Sequence, residues 1–93
     1  MHVGVLHVRM HVPDAHSLKD KRRVVKSILE RAKSRYGVSA AETDEQDIHR
    51  IAVLGFAYVS GSHHHAQEVV HKLLDQLRVH PAARLIEHEL EVL

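Results

Sequence analysis

The 93 residues carry 13 Lys and Arg against 12 Asp and Glu, a formal net charge of +1, with 11 histidines and no cysteine. A chain of this length buries roughly 60–65% of the surface its unfolded form exposes, enough for one core, so a single domain over residues 1–93 is expected. Without cysteine there is neither a disulfide nor a thiolate metal site, and Tyr36, Phe56 and Tyr58 are too few aromatics for a function that rests on stacking bases. The apolar start MHVGVL is too short and unbasic for a secretory signal, and no apolar run approaches the ~18 residues of a membrane span, so a cytoplasmic protein with no membrane partner is expected.

From His2 to Val12 the residues alternate. Gly4, Leu6, Val8, Met10 and Val12 fall on one face and His7, Arg9 and His11 on the other, which is the pattern of a half-buried strand. Pro13 and Asp14 end it, and Ser17 followed by Asp20 reads as a helix N-cap with an acidic variant of the capping box. At about 100° per residue, Leu18, Val25, Ile28, Leu29, Ala32 and Tyr36 share one helix face, and Gly37 suits the C′ position. A short strand follows from Val38 to Thr43. The polar run ETDEQD then leads to Ile51–Val59, apolar on both faces as a central strand would be. After the turn SGS, Ala66, Val69, Val70, Leu73, Leu74 and Leu77 recur at helical spacing and predict a second helix ending before Pro81. In the tail, Ile86, His88, Leu90 and Val92 alternate with Glu87, Glu89 and Glu91. The order β-α-β-β-α-β predicts an α+β ferredoxin-like sandwich, a four-stranded antiparallel sheet with both helices on one face and strands one and three central.

The stretch VGVLHVRMHVPDAHSLKDKRRVVKSILERAKSRYGVSAAETDEQD, with the later strand AVLGFAYVS, resembles a family of short bacterial proteins of unknown function, the YlxP-like or DUF503 family. The likeness covers nearly the whole chain and is densest at HSLKDKR and VSAAETDEQD. It implies a ferredoxin-like fold and gene neighbourhoods shared with transcription and translation factors, including ribosome-binding factor A. No activity comes with it. The family pattern has a Trp where this chain has His49.

The charge is unevenly placed. Ser17–Tyr36 holds eight positive and two negative residues, +6, so the remainder carries −5. Lys19, Arg22, Arg23, Lys26 and Lys33 occupy a sector about 100° wide beside the apolar face, with Glu30 the only acid among them. Such a row suits a phosphate backbone, because each contact releases counterions and requires no particular base, and RNA or a ribosomal particle is the expected partner. The competing reading is an ordinary solvated helix face, against which the one-sided sign argues. At the start of the helix, His16, Ser17, Lys21 and Arg22 are candidates for holding one anion against free backbone amides, the alternative being that Lys21 snorkels to water.

The open sheet face is the RNA platform of other domains with this topology, but here it is nearly bare, strand three presenting on it either Ile51, Val53, Ala57 and Val59 or the alternate set Leu54, Phe56 and Tyr58, and Glu87, Glu89 and Glu91 are expected opposite the strand-one cations. An apolar strip on the open face of strand three predicts a homodimer, through which the basic helix would contact an acidic protein surface as the second functional reading. No metal or cofactor is expected. His7 and His11 lie roughly 13 Å apart on one strand, and His63, His64 and His65 point in different directions at a helix start. Protonating all 11 histidines would take the formal charge from +1 to +12 and favour anionic partners. A hydrolytic site at His16 and Ser17, with Lys21 and Arg22 on an anion, lacks both a group to orient the histidine and a glycine-rich phosphate loop, so no catalytic residue is assigned.

Overall fold

The computed structural model describes Met1–Leu93 and has the elements β1 (His2–His11), α1 (Leu18–Tyr36), β2 (Ser39–Asp44), β3 (Ile51–Ser60), α2 (His63–Arg78) and β4 (Arg84–Val92). The strands form one antiparallel sheet in the order β2-β3-β1-β4, so β1 and β3 are central as the connectivity rules require. Both helices cover one face, α1 over the β2 side and α2 over β1, β3 and β4. This is the expected ferredoxin-like α+β arrangement.

Local chemistry sets the helix ends. Ser17 is extended (φ −157°, ψ 166°) and its Oγ accepts from the Asp20 amide at 3.1 Å, which begins α1. Gly37 ends it at φ 68°, in the left-handed region, donating its N–H to Lys33 O at 3.1 Å. α2 begins three residues before the first apolar position that periodicity picks out, because Ser62 caps it by accepting from the His65 amide at 3.1 Å.

Leu6, Val8 and Met10 of β1, Ala52, Leu54 and Phe56 of β3, Val25, Ile28 and Ala32 of α1, and Val70, Leu73, Leu74 and Leu77 of α2 are buried in one cluster. Leu18, Leu29 and Tyr36 lie at the margins of the α1 stripe and are half-buried. Gly4 lets α2 approach β1 closely, since a Cβ there would stand 2.9 Å from Ala66 O and 3.0 Å from Val70 Cγ1.

Strand four departs from its simple alternation. Its register against β1 shifts between Arg9 and Met10, with Met10 opposite Leu85 and Arg9 opposite Glu87. Ile86 is the extra residue of this bulge and is half exposed, while Leu85 takes the place against the core. A strict period of two assigns Ile86 to the apolar face only because a two-against-one step cannot be read from spacing.

Candidate functional site

The first turn of α1 is built differently from an open anion cradle. The Asp20 carboxylate bends back so that Oδ2 accepts from the His16 amide at 3.0 Å, while Asp20 N–H donates to Ser17 Oγ. The chain's own acid therefore occupies the corner where an external anion would sit. Lys21 does not reach this corner at all. It is the one buried charged residue, fully enclosed, and its Nζ donates to Glu45 O and Ile51 O at 3.0 Å each and pairs with Glu42 Oε2 at 2.8 Å. All three ammonium protons are thereby used. Neither the anion-holding role nor the snorkelling alternative suits a lysine so placed; the site expected from His16, Ser17, Lys21 and Arg22 is not assembled, although His16, Ser17 and Arg22 are themselves exposed.

Glu42 projects under α1 because its partner in β3 is the core residue Leu54. The two stretches HSLKDKR and VSAAETDEQD, which carry the family resemblance, thus meet through Lys21, Glu42 and Glu45. Glu45, the non-glycine residue in the left-handed region at φ 49°, starts the turn into β3, and its carboxylate takes Arg9 at 2.7 Å from the open side of the sheet. Glu42 Oε2 and Glu45 Oε2 are buried, and each meets only its ion-pair cation. In the sheet Val53 stands between Arg9 of β1 and Asp44 of β2 and is buried on the otherwise open face.

The five remaining candidate cations, Lys19, Arg22, Arg23, Lys26 and Lys33, are all exposed along one edge of α1 and none joins an ion pair. The open sheet face carries Val5, His7, Arg9, Gly55, Ala57 and Val59 but no Phe, Tyr or Trp; Phe56 and Tyr58 lie on the helix side. His7 reaches across Gly55 to Thr43 Oγ1 at 2.9 Å, a contact Gly55 permits because a Cβ there would approach Thr43 Cγ2 to 2.9 Å. As the pairing predicts, Glu87 stands opposite Arg9, Glu89 opposite His7 and Glu91 opposite Val5. Arg9 nevertheless takes Glu45 as its ion-pair partner rather than Glu87. Among the histidines, His64 and His65 approach Glu68 at 3.9 Å, His65 bonds Tyr58 Oη at 3.0 Å, and no three His, Asp or Glu residues converge as metal ligands would.

Periodicity alone left Arg31, Arg35 and His80 out of account. They border a groove between the helices on the opposite flank of α1 from the five-cation row. Burial, and secondarily the charge of Arg31, hold the His80 imidazole below its usual range. The only sequence signal for this site was angular: Arg31 and Arg35 fall on the other side of the apolar stripe.

These features define a small ferredoxin-like α+β module in which Lys21 and Arg9 fasten distant segments together and α1 carries exposed cations on both flanks of its apolar stripe. The chain matches the family described as "Protein of unknown function (DUF503)" over residues 3–90 and belongs to it. It is similar to "Uncharacterized protein YlxP" of Bacillus subtilis (strain 168), 33% identical over 72 residues that cover 77% of this chain and 78% of that protein. No helix is long and apolar enough to cross a membrane.

Proposed function

We propose that the protein is a non-catalytic binding module that attaches to structured RNA or a ribosomal particle through the outward basic edge of α1. The observation that carries this reading is that Lys19, Arg22, Arg23, Lys26 and Lys33 are exposed and without ion-pair partners, whereas the buried Lys21 and the sheet cation Arg9 are neutralised within the fold. At 1.5 Å per residue, the row runs about 21 Å from Lys19 to Lys33. A straight, rigid row of this length follows a phosphate backbone without ordering new chain, and it reads charge rather than base identity. The gene-neighbourhood association of the family with translation factors points the same way.

Co-sedimentation with ribosomal subunits and with total RNA tests this. Five phosphate contacts give an expected loss of about 100- to 500-fold in affinity between about 50 and 200 mM salt, and nuclease removes the RNA-bound fraction. The Arg23→Glu, Lys26→Glu, Lys33→Glu variant is expected not to sediment. Absence of binding at the lower salt overturns the reading.

A second reading, a homodimer that presents α1 to an acidic protein surface, is favoured by the small apolar residues of the open sheet face, where Val59 is 63% exposed beside Ala57 and Gly55. The protein-alone cell of the same sedimentation run reads a dimer mass if this holds and a monomer mass if it does not, and docking to a protein partner survives nuclease.

A further inference from the structure

Between the two helices, along the C-terminal half of α1, lies a groove of about 220 Å³. Its floor is apolar, with Ile28 and Ala32 from α1 facing Leu73 and Leu77 from α2. Its polar lining is one-sided: Arg31, Arg35 and His80 contribute, Gln76 and Tyr36 add neutral polar atoms, and no Asp or Glu lines it. The carbonyl end of α1 borders the groove at Tyr36 and that of α2 borders it at Val79, and both oppose an anion, but each is equivalent to only about half a negative charge and falls off within a turn, against two full guanidinium charges. α1 already returns Lys33 O to the Gly37 N–H, and α2 returns Gln76 O and Leu77 O to the amides of Val79 and His80, which reduces that opposition further.

We infer that this interhelical groove is a binding site for a small organic carboxylate, its apolar body on Ile28, Leu73 and Leu77 and its anionic head between Arg31 and Arg35. The volume equals roughly seven waters' share of liquid, which suits the apolar body of a small aryl or branched alkyl acid. Guanidinium groups meet a carboxylate as a planar fork, so two of them beside one apolar slot select carboxylates over neutral isosteres and over ions that lack an apolar body. His80 completes the rim. Its Nδ1 is held by the Ala82 amide at 3.1 Å, which leaves Nε2–H as the available donor. The site is independent of the RNA-binding edge, because Arg31 and Arg35 lie on the opposite flank of α1.

Titration of the isotope-labelled protein with benzoate and isovalerate, followed by NMR, tests the inference against benzamide and inorganic phosphate. Saturable shifts are expected at the Ile28, Leu73 and Leu77 methyls and the Arg31 and Arg35 Nε–H groups, with at least one carboxylate binding tenfold or more tighter than benzamide and phosphate. The exposed pair Arg31→Gln and Arg35→Gln should keep the fold, weaken the carboxylate at least tenfold and leave benzamide unchanged. The inference fails if neither carboxylate shifts these groups saturably, if benzamide matches benzoate, if phosphate matches both acids, or if the double variant retains full affinity.

Discussion

Lys21 shows how a charged side chain can be structural. A buried ammonium left without water is tolerated only when its charge and protons are all met, and here one carboxylate and two carbonyls meet them. Lys21→Ala strands the Glu42 carboxylate and two carbonyls, with an expected cost of about 3–5 kcal/mol, a large part of the stability of a small domain. Lys21→Met with Glu42→Leu is expected to recover most of that loss, and urea midpoints of the three proteins check both expectations. His80 makes a second residue-scale prediction. Because its folded pKa lies below the ordinary value of about 6.5, the unfolded chain binds the extra proton first as pH falls. The contribution is therefore intact above about pH 6.5 and lost as pH drops through the lower folded value. His80→Asn keeps an acceptor for the Ala82 amide and removes the titration; it should lose less stability than the parent between about pH 7.5 and 5, as read by urea unfolding at each pH.

Elements are held to one another at a few close points. α2 meets β1 at Gly4, where the gap admits no Cβ without displacing Ala66 O, a backbone atom that cannot swing aside. Gly4→Ala is expected to destabilise by about 1–3 kcal/mol despite the better strand propensity of alanine, and a lowered thermal midpoint would show it. At the opposite end, Lys21 grips both Glu45 and Ile51, so the turn from β2 into β3 is anchored at its two ends by α1. The bulge in β4 is a third such point, releasing Ile86 outward and turning Leu85 inward. None of these depends on hydrophobic period. Each depends on how closely two distant segments approach.

At the scale of the whole molecule, charge is separated. The helix layer bears the unpaired Lys and Arg of α1, whereas the open side of β4 presents Glu87, Glu89 and Glu91, with one sheet cation, Arg9, already neutralised by Glu45. A near-zero net charge thus conceals a polarity, positive along α1 and negative along the open side of β4, while the open sheet face carries no Phe, Tyr or Trp. The six elements, their order, the helix caps at Ser17 and Gly37 and the exposed basic row were all determined by the sequence itself. They follow from side-chain periodicity and from backbone conformations set within a few residues. The partner of Lys21, the closure of the α1 N-terminus by Asp20, the outward turn of Ile86 and the cationic groove at Arg31, Arg35 and His80 were decided only in the tertiary structure. Ion pairs, bulges and cavities form between residues that the chain separates and the fold brings within a few ångströms, and no local period records which of them will meet.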